Sequence, residues 1–187
     1  MRLDKPRIAP LAESELGAEH RAMLGERFKS GKILNIFRTL IKAPKAYKAF
    51  MWWGGYILSG HNDLAARERE IIILRTGYNW KSGYEWAQHV RIGKDCGLTG
   101  EEIERIKAGP DAPGWTPLES AMLRATDELT GDGHVTDATW QALAELTEKQ
   151  RMDLVMTVGQ YSQVSMMLNS FGVQLDDDLK LDPDLAV

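Results

Sequence analysis

A single cysteine, Cys96, stands in the 187-residue chain, so no intrachain disulfide can close and no Cys-x-x-Cys pair is available for thiol chemistry. Long apolar runs are missing too. Stretches such as Ile71-Ile72-Ile73-Leu74 fall far short of the ~20 residues that cross a bilayer, so no membrane partner is expected. The opening residues, MRLDKPRIAP, hold no apolar segment of a secretory leader, and a cytoplasmic location is the expectation. A basic excess is also lacking: Lys plus Arg is 23 against 27 for Asp plus Glu, a formal charge of −4. Nothing in that balance draws in a phosphate backbone, and no nucleic-acid partner is expected. Finally, the sequence has no Gly-x-Ser-x-Gly elbow, no P-loop and no dinucleotide fingerprint. Covalent serine chemistry and nucleotide hydrolysis therefore find no support.

Period-2 alternation occurs nowhere for long, whereas apolar residues at i, i+3, i+4 recur along the chain. The fold class expected is all-α. With 43% apolar and 27% charged residues the composition is that of a globular protein, and one domain over 1–187 is expected. The periodicity predicts a first helix from Glu13 to Phe28, a short one over Asn35–Lys42, and one opened by Pro44 and running to Ser59. It further predicts helices over Ala65–Tyr78 and Gly83–Asp95, separated by a break at Asn79–Ser82. Thr99-x-x-Glu102 is a capping box that starts another. The loop-like GPDAPGWTP, Gly109 to Pro117, divides two helical halves. Thr116 and Pro117 open the next helix, one follows over Asp137–Leu146, and Thr147-x-x-Gln150 caps a long one to Phe171. The acidic tail from Asp176 is expected to fray.

The halves can be laid over each other without gaps, Leu64 on Leu146, Arg69 on Arg151 and Gly77 on Gly159, which suggests an internal repeat of helix pairs. In that register Glu70 faces Met152, Glu85 faces Met167 and His89 faces Phe171. One copy would then carry ionisable groups where the other keeps apolar ones.

Ser82, Glu85 and His89 fall at i, i+3 and i+7, one stripe of a helix. Glu70 precedes four consecutive apolar residues, a position that implies burial. A partly desolvated carboxylate beside an imidazole is a usable proton-transfer pair near neutral pH. Two plainer readings compete. Glu85 and His89 suit a surface ion pair worth roughly 0.3–0.5 kcal/mol, or two ligands of a metal, although no further ligand pair follows at helical spacing. His20 is expected on a polar face, His61 and His134 in turns, and Cys96 as a bystander near the end of its helix. Phe50, Trp52, Trp53 and Tyr56 sit too close together to share one narrow face, so part of this cluster is core and part is free to line a pocket or a subunit interface.

The stretch REREIIILRTGYNWKSGYEWAQHVRIGKDCGLTGEEI, Arg67 to Ile103, resembles the carboxymuconolactone decarboxylase family, whose superfamily includes the alkylhydroperoxidase AhpD. The resemblance is dense over residues 35–107 and weaker over 116–175. In the AhpD branch a glutamate is followed, on the next helix, by Cys-x-x-Cys-x-x-x-His. Here Glu70 and His89 match the glutamate and the histidine, while Ser82 and Glu85 stand at the two cysteine positions. Serine and carboxylate cannot cycle through sulfenic acid and disulfide, so thiol peroxidase activity is not expected. The resemblance implies an AhpD-like helical fold, homo-oligomers (trimers or hexamers), and a site at Glu70, Glu85 and His89 acting on a small-molecule carboxylate without metal or cofactor. His89 would be the proton donor, Glu85 its orienting partner or a second acid, and Glu70 a relay, with Ser82 and Tyr84 as substrate donors. Two alternatives stand beside this lyase: an alkylhydroperoxidase-like oxidoreductase with a degenerate thiol site, and a non-catalytic oligomeric scaffold.

Overall fold

Four consecutive apolar residues leave a helix no face for water, and that decides the layout. In the computed structural model, which describes residues 1–29 and 31–186, the helix carrying them is α5 (Ala66–Asn79), and all four side chains are fully buried. Ile71 and Leu74 pack with Trp86, Ile103, Ile106 and Leu123. Ile72 joins Met122, Leu146, Leu154 and Val158, and Ile73 meets Ile57 and Tyr161. Each such side chain contributes about 1.5–3 kcal/mol, and only a helix surrounded by others gains this on every side.

The surrounding helices are α4 (Pro44–Ile57), α6 (Gly83–Asp95), α7 (Gly100–Ala108), α8 (Pro117–Gly131) and α10 (Glu148–Phe171). Shorter segments α1 (Ala18–Leu24), α2 (Glu26–Lys29), α3 (Asn35–Leu40) and α9 (Asp137–Ala142) complete the all-helical architecture. The three Thr-x-x-Glu/Gln sequences form capping boxes at Thr99, Thr116 and Thr147, as the spacing predicts. Because α5 packs on α8 and α10 as well as on α6, the segments on either side of the 109–117 loop share one core. Arg75 reinforces this junction. It pairs with Asp127 of α8 at 2.6 and 2.8 Å and caps the carbonyls of Ile106 and Lys107 on α7. Gly109, at φ +94°, makes room for it: a Cβ there would stand 2.9 Å from the guanidinium.

Four expectations need correction. The predicted helix over 13–28 is interrupted: a 3-10 turn (Glu13–Glu15) precedes α1, and Gly25, at φ +54°, separates α1 from α2. The helix predicted over 137–146 stops at Ala142, and Leu143 and Leu146 turn into the core instead. The tail does not fray. Asp176 accepts hydrogen bonds from Tyr84 Oη (2.6 Å), Gln88 Nε2 (2.7 Å) and the Asn35 amide (2.9 Å). Asp182 holds Trp86 Nε1 and Lys107, and Leu185 is buried. Acidic composition mimics a solvated tail, but these carboxylates find buried donors.

The repeat of helix pairs does not extend past Gly77 and Gly159. The register calls for a break at 161–164 to match the Asn79–Ser82 turn, yet α10 runs through it unbroken. Met152 is 54% exposed where its counterpart Glu70 is 1% exposed, so the two positions do not share an environment. Among the described residues no helix is long and apolar enough to cross a membrane.

Candidate functional site

Lys81, at φ +52°, turns the chain back between α5 and α6, and the two helices run antiparallel in close contact. Two glycines set the spacing. A Cβ on Gly77 would stand 3.3 Å from Glu85 Cγ, and one on Gly93 would stand 3.3 Å from Leu74 and 3.9 Å from Glu70 Cβ. With hydrogen at both crossings, Glu85 lies against α5, and Glu70 lies beside α6.

His89 sits between the two carboxylates. Its Nδ1 is 2.7 Å from Glu70 Oε2 in a buried hydrogen bond. Its Nε2 is 3.0 Å from Glu85 Oε1, an ion-pair distance without the alignment of a hydrogen bond. Exposure is 1% at Glu70, 4% at Glu85 and 6% at His89, which removes the surface ion pair as a reading. Tyr161 of α10 closes one side, its ring edge-on to the imidazole at 5.0 Å. Burial alone opposes a charged imidazole, but Glu85 and Glu70 outweigh it and push the His89 pKa up to about 10. The ring is therefore held as an imidazolium at neutral pH, with a proton on each nitrogen. Burial, followed by the same two carboxylates, drives the Tyr161 pKa well up and keeps the phenol neutral.

A cavity of about 250 Å³ opens onto this cluster. Its walls are largely apolar, from Phe37, Phe50, Met51, Leu58, Ile92 and Val164, while Glu85, His89, Gln160 and Tyr161 supply its polar part. Arg27, stacked over Phe37 at 4.7 Å, also borders it. Glu70 does not line the cavity; it reaches the space only through His89.

Of the five site residues read from the sequence, Glu70, Glu85 and His89 converge. The other two are placed differently. Ser82 is fully buried at the start of α6, with its hydroxyl unpaired, and does not border the cavity. Tyr84 borders the cavity, but its hydroxyl donates to Asp176 and accepts from Gln88 and the Ile36 amide. Gln160 and Tyr161 escaped the sequence reading, which took α10 as an apolar second copy. The signal was the polar interruption Gln160-Tyr161-Ser162-Gln163 in a helix otherwise buried on two sides. Cys96 is half-buried, does not border the cavity, and has its thiol pKa raised by burial and then by Glu70.

Residues 44–128 match the sequence model of the carboxymuconolactone decarboxylase family, a span that contains Glu70, Glu85 and His89. No curated protein matches the chain. Among solved structures, a peroxidase-related protein with an alkylhydroperoxidase AhpD core from Ralstonia eutropha JMP134 is 22% identical, with a TM-score of 0.76 over 91% of this chain and 94% of that one. An AhpD-type antioxidant defence protein of unknown function from Agrobacterium tumefaciens is 20% identical, with a TM-score of 0.69 over 74% and 96%. The debrominase Bmp8, solved with 2,3,4-tribromopyrrole, is 13% identical, with a TM-score of 0.76 over 93% and 94%. At these identities the three structures establish the AhpD-like fold.

Proposed function

Taking the 44–128 segment as a carboxymuconolactone decarboxylase family segment, we propose that the chain is a lyase that uses His89 as a general acid on a small carboxylated lactone or keto acid. One observation carries this reading: a buried imidazole, held between two glutamates, faces a largely apolar cavity. A scaffold has no use for that arrangement, which costs desolvation of three ionisable groups.

In the proposed reaction the bond to the carboxyl carbon breaks and carbon dioxide leaves. Its electron pair moves into the conjugated carbonyl, giving an enolate or dienolate. The Nε2–H of His89 then delivers a proton to carbon, and solvent returns one to the ring. Glu70, hydrogen-bonded to Nδ1, orients the imidazole and balances its charge. Glu85 borders the cavity beside Nε2 and is the group placed to pass the replacement proton. This exchanges the roles first given to the two glutamates. Apolar walls strip water from the substrate carboxylate, and its charge is dispersed as the bond breaks.

The test is a screen of small lactone and keto-acid carboxylates for carbon dioxide release, run with the parent and with His89→Ala. A turnover loss of about 10²-fold or more in the variant is expected. A fully active His89→Ala sinks the proposal.

A further inference from the structure

Gln160 is 4% exposed, borders the cavity, and its amide makes no hydrogen bond to any described residue. Glu85, also buried and on the cavity wall, has only the His89 Nε2 beside it, 3.0 Å from Oε1, and keeps acceptor capacity to spare. Leaving an amide such as that of Gln160 unpaired inside a fold costs about 1–3 kcal/mol, and other unpaired buried groups, such as the Ser82, Ser165 and Tyr47 hydroxyls, do not border this cavity. Asp153 accepts from Tyr56, Lys149 and the Asp63 amide, and Asp127 pairs with Arg75 and Asn79. Glu85 and Gln160 face one cavity from two different helices, α6 and α10. Either rotamer of the Gln160 amide leaves a polar end unpaired, so the conclusion does not depend on which end is oxygen.

From this we infer that the cavity receives the uncharged hydroxyl of a single-ring ligand, which donates to Glu85 and accepts from the amide of Gln160. A hydroxyl is the smallest group that meets a carboxylate acceptor and an amide together. A carboxylate at the same point would face Glu85 with Glu70 behind it, and the His89 ring there is already shared between them. The ring follows from size and wall chemistry. An apolar cavity of 150 Å³ is enough for benzene, and this one offers about 250 Å³ between Phe50, Leu58, Ile92 and Val164. Gln160 is then a specificity residue. Any carboxylate of the substrate points away from Glu85, towards the wall bordered by Arg27.

The inference rests on the proposed function for the identity of the cavity as the reaction site, but its test reads binding without turnover. Phenol and anisole share a ring and differ in the group offered: a hydroxyl and a capped oxygen. Calorimetric titration of the full chain at pH 7 should show phenol binding about tenfold more tightly than anisole, the worth of one net hydrogen bond near 1.4 kcal/mol. In Gln160→Leu the preference for phenol over anisole should fall to within about twofold. Equal binding of phenol and anisole by the parent, a comparison that needs no variant, overturns the inference. Loss of turnover in His89→Ala together with equal phenol and anisole binding would leave the acid–base reading standing and remove this one alone.

Discussion

Glu70 and His89 lie on antiparallel neighbours, α5 and α6, and meet through a 2.7 Å hydrogen bond at Nδ1, so the imidazole is held from the side that does not border the cavity. That contact, with Glu85 at Nε2, keeps the ring charged against the cost of burial.

A pH dependence of stability follows. The folded pKa of His89, about 10, lies above its unfolded value of 6.5, so the folded state binds the proton more tightly. The stabilisation is complete below about pH 6.5 and is lost as pH rises through about 10. Urea midpoints measured from pH 6 to 10.5 should fall along that interval, and His89→Gln should flatten the fall.

Glu70 is predicted to act through the imidazole. In Glu70→Gln the amide oxygen can still accept from Nδ1, but a charge that raises the His89 pKa is gone. The alkaline limb of the pH–rate profile should move to lower pH with modest loss at the optimum. An unmoved limb would mean that Glu70 only packs.

Replacing Glu85 by Gln should cost about 10²-fold or more in turnover if it serves proton transfer. Cys96→Ser should change turnover little, because the thiol is half-buried outside the cavity and its pKa is raised. A folded but inactive Cys96→Ser would overturn the assignment of the site.

The tail should matter for stability. Asp176 takes three hydrogen bonds, two of them from Tyr84 and Gln88 on the cavity wall. Charge-assisted bonds contribute about 1.5–3 kcal/mol each, and their loss is partly offset by solvent. Asp176→Ala should lower unfolding free energy by about 2–4 kcal/mol in chemical denaturation, whereas Asp177→Ala, at an exposed neighbour, should lie within about 0.5 kcal/mol of the parent.

We also propose that the chain is a homo-oligomer. Trp52 of α4 is 76% exposed, Leu58 at the end of that helix is exposed, and so are Met152 and Met166 of α10, which packs on α4. Exposed apolar groups of this kind mark contact surfaces. Sedimentation at low concentration should show a species several times the 21.0 kDa chain mass, and Trp52→Glu should shift it towards the monomer.

The sequence by itself determined the helices and the pairing at the heart of the site. Helical period, threonine capping boxes and proline starts are local properties of the backbone, and they placed α6, α7, α8 and α10 within a residue or two. Spacing put Glu85 and His89 on one stripe, and the apolar run after Glu70 foretold its burial. Tertiary structure decided what periodicity cannot carry. It shut Ser82 away from the cavity and tied Tyr84 to Asp176, because a side chain's hydrogen-bond partner is chosen among residues 92 positions away as readily as among neighbours. It brought Gln160 and Tyr161 to His89 from a helix that reads as core, and it carried α10 through the register where a repeat would turn. It also set the charge of His89, since the balance of desolvation against two carboxylates depends on distances that only the packing of α5 on α6 defines.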